Sequence, residues 1–68
     1  MRSFAETLKF LRENKNLSQR ELANDLDISK SSVGMYERGI REPNFEMLET
    51  IADYFNVDMN YLLGKKDT

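Results

Sequence analysis

Apolar residues recur along this chain at helical spacing, and small polar residues interrupt them at regular intervals. Phe4, Leu8 and Leu11 stand at i, i+4 and i+7 on one helical stripe, and Lys15 extends that face toward the C-terminal end, where a cation is favoured. Ser3-Phe4-Ala5-Glu6 forms a capping box, in which the serine oxygen and the glutamate carboxylate each satisfy an orphan amide. Asn16 suits a left-handed residue closing the helix. The pattern then repeats. Leu17 is a hydrophobic staple, Ser18-Gln19-Arg20-Glu21 is a second capping box, and Leu22, Ala23 and Leu26 form the inner face of a short helix. Ala23 is small enough to let another helix approach. Phe10 lies off the first stripe and reads as ordinary exposed apolar surface.

Asp27 and Ile28 follow, and Ser29 caps a third helix that Gly39 ends. A link of about three residues is the helix-turn-helix arrangement. The two faces of this third helix differ in kind. Val33, Tyr36 and Glu37 fall on one side, at i, i+3 and i+4. Lys30, Ser31, Gly34, Met35 and Arg38 fall on the other, which is short, polar and cationic. Such a face suits a groove that offers hydrogen-bonding groups and negative charge. A glycine in mid-helix costs about 1 kcal/mol relative to alanine. Either close approach to a binding partner or crowding by a neighbouring helix would offset that cost.

Beyond Gly39, the residues Ile40 to Pro43 read as a loop, because proline disfavours helix at the residue before it. Asn44 caps a fourth helix with a core face of Phe45, Leu48, Ile51, Ala52 and Phe55 and with Met47 and Tyr54 beside it. Asn56 closes it, Val57 packs, and Asp58 caps a last short helix through Leu63 that Gly64 stops. Residues 65–68 are expected to be a frayed tail. The fold class is therefore all-α: a single domain over residues 1–68 with five short helices, the second and third forming a helix-turn-helix at about 18–38.

Composition narrows the chemistry. The 68 residues include no cysteine and no histidine. Disulfides and thiolate metal sites are thus excluded, and so is the commonest general base near neutral pH. No glycine-rich phosphate loop or supported carboxylate cluster is apparent, so an enzyme is rejected and no cofactor is expected. Without staples a chain this short needs a helical core, and a 40% hydrophobic fraction is enough for one. The first eleven residues are interrupted by Arg2, Glu6 and Lys9, so no signal core is visible, no membrane span is expected, and the expected setting is cytoplasmic. The net charge of −2 is unevenly spread. Residues 1–41 carry eight Lys/Arg against six Asp/Glu, whereas residues 42–64 carry five Asp/Glu and no Lys/Arg. A basic-leaning half joined to an acidic half is compatible with one-sided contact to phosphates.

Several segments, in order and at the right spacing, resemble the Cro/C1-type (lambda-repressor-like, XRE) helix-turn-helix domain of phage repressors and bacterial regulators. They are Ser18-Gln19-Arg20-Glu21-Leu22-Ala23, Ile28-Ser29, Val33, Tyr36-Glu37-Arg38-Gly39, Pro43, Leu48 to Val57 and Tyr61-Leu62-Leu63-Gly64. The likeness covers roughly residues 4 to 64. It implies a five-helix domain that places its third helix in the major groove and acts as a homodimer on a palindromic operator. By position, Lys30, Ser31 and Met35 match base-reading sites, with Ser29, Ser32, Gly34 and Arg38 at the margin. Gln19 matches a glutamine that anchors phosphate and braces a reading side chain. Arg41 and the loop amides near Ile40 match a phosphate clamp. Arg12 and Glu37 match a charge pair tying the first helix to the third, a structural role. Met59 and Tyr61 match dimer-interface positions. Two residues depart from the pattern. Asp27 stands where relatives usually have glycine, and Met35 stands where they often have a polar or small residue, a position from which it would meet a thymine methyl.

The expected function is a sequence-specific transcriptional regulator, a repressor of phage or bacterial origin, with double-stranded DNA as partner. The alternative is a protein-interaction module such as the antitoxin of a toxin–antitoxin pair.

Overall fold

The computed structural model describes residues 2–65. Five helices follow one another among them: α1 (Phe4–Asn14), α2 (Gln19–Leu26), α3 (Lys30–Arg38), α4 (Phe45–Phe55) and α5 (Met59–Leu62). Each begins on a side-chain cap, from Ser3, Ser18, Ser29, Asn44 and Asp58 in turn. Both capping boxes are closed: Ser3 and Ser18 each donate their backbone N–H to the glutamate three residues on and accept that residue's N–H at the hydroxyl.

The helix ends are equally uniform. Asn16, Asp27, Gly39, Asn56 and Gly64 all adopt positive φ, between 55° and 79°. The N–H of the following residue then donates back to a carbonyl five residues earlier: Leu17 to Arg12, Ile28 to Ala23, Ile40 to Met35, Val57 to Ala52 and Lys65 to Asn60. Asp27 thus takes the left-handed geometry (φ 59°, ψ 44°) in the turn between α2 and α3. Leu17, Ile28 and Val57 pack against the core from these positions, but Ile40 is 66% exposed.

The core gathers Leu8 from α1, Leu22, Ala23 and Leu26 from α2, Val33 and Tyr36 from α3, Ile51 and Ala52 from α4 and Leu62 from α5. Phe4, Leu11, Leu48 and Phe55 pack around it half-buried, as do Met47 and Tyr54. Phe45 does not join them. It is 65% exposed, a correction to the core face read from the sequence. Helical side chains lean toward the N-terminus, so the first residue of α4 projects past the helix end instead of onto a neighbour. Phe10 is 39% exposed, with the Arg2 guanidinium 3.9 Å from its ring centroid. Among the described residues no helix is long and apolar enough to cross a membrane. Of the tail expected at 65–68, only Lys65 lies within the described residues, where its amide closes α5.

Candidate nucleic-acid interface

Three side chains fix α3. Val33 is fully buried, and Tyr36 meets the Phe4 ring edge-on at 6.2 Å. Glu37, one residue on, faces the same way and carries the charge of the inner side. Its side chain is only 4% exposed, and its carboxylate is gripped by Arg12 of α1, with Nε donating to Oε2 at 2.6 Å and Nη2 to Oε1 at 3.0 Å. The guanidinium uses its remaining edge on the Leu17 carbonyl, with Nη1 donating at 2.8 Å. The bonded carboxylate holds Arg12 more firmly in its charged form, against the opposing effect of burial. A bidentate pair buried to this degree stands because almost every polar atom in it is satisfied.

A third member completes this group, and it was not apparent from the sequence. Gln19, the first residue of α2, donates from Nε2 to Glu37 Oε1 at 3.1 Å. The residues are 18 apart. No local spacing signals the bond, which depends on how α2 crosses α3. The chain therefore ties α1, α2 and α3 together through one buried carboxylate.

Outside this anchor lies a depression of about 400 Å³ lined by Gln19, Lys30, Ser31, Gly34, Met35 and Arg38. Lys30, Ser31 and Arg38 are exposed and Met35 is half-buried. All three residues expected to read bases thus share one concavity. Gly34 forms its floor and is itself buried. A Cβ built there would lie 3.8 Å from Gln19 Oε1 and 3.9 Å from Arg38 Nη1, both ends of long side chains in ordinary contact. Crowding by a neighbouring helix backbone is therefore not the reason for the glycine. Ser29 and Ser32 are not among the lining residues and serve the cap, with the Ser29 hydroxyl accepting the Ser32 N–H and bonding its hydroxyl, each at 3.0 Å.

Past Gly39, Arg41 is exposed. The Ile40 amide is not available to a phosphate, because it donates to the Met35 carbonyl at 3.1 Å as part of the α3 end. The other amides of this loop near Ile40 are the ones left for such a clamp. The Ile40 side chain and Phe45 are instead two large exposed apolar groups flanking the loop. Met59 and Tyr61 stand half-buried on α5, and neither lines the depression.

A helix-turn-helix family model matches residues 8–62. Over 64 residues the chain is 38% identical to the HTH-type transcriptional activator BcrR of Enterococcus faecalis, covering 94% of this chain and 31% of that protein. Over 65 residues it is 34% identical to the HTH-type transcriptional regulator ImmR of Bacillus subtilis, covering 96% and 51%. The chain thus spans a third to a half of the length of these relatives. In fold it matches the P22 c2 repressor, solved in complex with a synthetic operator, with a TM-score of 0.88 at 23% identity over 97% of this chain and 100% of the other.

Proposed function

The chain belongs to the Cro/C1-type helix-turn-helix family, and from that premise we propose that it is a sequence-specific DNA-binding transcriptional regulator acting in the cytoplasm. The observation that carries this reading is the division of α3: Val33, Tyr36 and Glu37 lock the helix down, while Lys30, Ser31, Met35 and Arg38 form one open concavity with Gln19. An α-helix fits the major groove, and a cationic, short-chained face can approach base edges there. Lys30 and Ser31 supply donors to base acceptors, and Met35 packs against a thymine methyl. Arg38, Arg41 and Gln19 supply the flanking phosphate contacts, with Ser29 and Ser32 at the margin. Blocking a promoter requires only occupancy, so repression is the expected sign.

Two copies bind a twofold-symmetric site through Met59 and Tyr61, which places the half-site centres about 34–36 Å apart, one turn of DNA. The test is selection of duplexes from a random pool, followed by a footprint of the winning site. Enrichment of an inverted repeat protected on one face of the duplex supports the reading. A single asymmetric footprint refutes the symmetric dimer, and no enrichment refutes sequence-specific binding. Within the selected site, Lys30→Ala weakens binding and relaxes one base preference by about 1–3 kcal/mol, whereas Arg41→Ala weakens binding to operator and random DNA alike.

A further inference from the structure

The buried carboxylate of Glu37 accepts from two partners, Arg12 and Gln19. The bond to Gln19 has a chemical consequence. A carboxylate gripped by a guanidinium can only accept, so the glutamine amide must turn its NH2 end toward it. The whole amide lies over Gly34, with Oε1 3.8 Å and Nε2 4.0 Å from a Cβ placed there, and the end not held by Glu37 is the carbonyl oxygen, in the depression that Lys30, Ser31, Met35 and Arg38 complete. A glutamine free to rotate would offer a donor or an acceptor at that place with equal ease. Here only one arrangement keeps the buried bond.

We propose that Glu37 is a positioning residue for DNA recognition: by fixing the Gln19 amide it makes Gln19 present an acceptor to the depression. That acceptor bonds the donor which the Ser31 hydroxyl or the Lys30 ammonium brings when DNA fills the site, and so sets the direction in which those side chains read the bases. The Arg12–Glu37 pair then acts in recognition as well as in holding α1 to α3. The inference rests on the DNA-reading function proposed above.

The near-isosteric Glu37→Gln substitution separates the two roles. An amide offers one oxygen and one NH2 group where the carboxylate offered two acceptors to Arg12 and Gln19, so residue 37 no longer holds the Gln19 amide to a single orientation. The base-preference profile of the intact chain is measured by duplex selection for the wild type, Glu37→Gln, Gln19→Ala and the double variant, with an unfolding midpoint for each. The expected result is that Glu37→Gln and Gln19→Ala alter preference at the same base pairs, by about three- to tenfold, the scale of one hydrogen bond. In the double variant, Glu37→Gln adds no further change in preference. A uniform loss of affinity that tracks the unfolding midpoint and persists unchanged in the Gln19→Ala background overturns the proposal. A second readout needs neither DNA nor a variant. The side-chain NH2 protons of Gln19 in the free protein are expected to be shifted and slow to exchange, and free-amide values at Gln19 overturn the proposal even if the chain selects an operator. A wild-type chain that selects no operator fails the regulator reading instead, and with it this inference.

Discussion

Replacing Gly34 with alanine isolates the central helix from the rest of the fold. Gly34 is the middle residue of α3 (Lys30–Arg38), four residues from either end. At such a position glycine costs about 1 kcal/mol relative to alanine, through the backbone freedom it loses on folding. The gain from Gly34→Ala survives only if the new methyl fits. Its neighbours would be Gln19 Oε1 at 3.8 Å, Arg38 Nη1 at 3.9 Å and Gln19 Nε2 at 4.0 Å, all of them side-chain ends in ordinary van der Waals contact. Nothing need move, and the methyl buries some apolar area beneath the glutamine. The expected result is a stabilisation of about 1 kcal/mol, seen as a rise in Tm of about 4–8 °C for a domain of this size. Denaturant unfolding followed by circular dichroism measures it, at unchanged m-value. With crowding by a helix backbone set aside, close approach to DNA is the remaining reason for the glycine, so operator affinity is expected to fall even as stability rises. A fall in stability would refute the reasoning by showing that the Gln19–Glu37 bond tolerates no methyl beneath it. A gain in stability with a large loss of operator affinity would place the α3 backbone directly against DNA.

Other perturbations test the remaining structure. Arg12→Ala strands the Glu37 carboxylate, on a side chain only 4% exposed, and is expected to destabilise by roughly 3–5 kcal/mol, whereas the paired change Arg12→Met with Glu37→Leu costs far less in urea unfolding. Gly64 and Gly39 both hold positive φ (79° and 74°), but a Cβ on Gly64 would lie 1.8 Å from the Arg2 carbonyl oxygen, while one on Gly39 meets only the Ala5 Cβ at 3.9 Å. Gly64→Ala is therefore expected to lower Tm well beyond Gly39→Ala, which carries only the left-handed strain of about 1–2 kcal/mol. The Tyr54 hydroxyl donates to Asp25 at 2.5 Å, and this bond, with burial and the Asp25 charge, pushes its pKa up from 10.0 to about 12. Because the folded value is raised, the associated stability is full below pH 10 and is lost as pH rises toward 12; Asp25→Asn should bring the Tyr54 titration, followed by NMR, back toward 10.

The sequence by itself determined the punctuation of this fold. Ser3, Ser18, Ser29, Asn44 and Asp58 start the helices, and Asn16, Asp27, Gly39, Asn56 and Gly64 end them, because both devices act within a few residues of chain. The apolar stripes located the core for the same reason: Leu8, Leu22, Val33, Ile51 and Leu62 need only helical spacing to share a face. The division of α3 into an anchored and an open side was legible in the same way. Tertiary structure decided everything that depends on which element lies opposite. Phe45 has the spacing of a core residue but projects past the end of α4. Gly34 stands on the outer face, yet the Gln19 and Arg38 side chains lie over it. The Ile40 amide was spent on closing α3. The hydrogen bond from Gln19 to Glu37 spans 18 residues and exists only because α2 crosses α3 at that point. Helical periodicity names the face a residue occupies, and only the packed fold sets what meets that face.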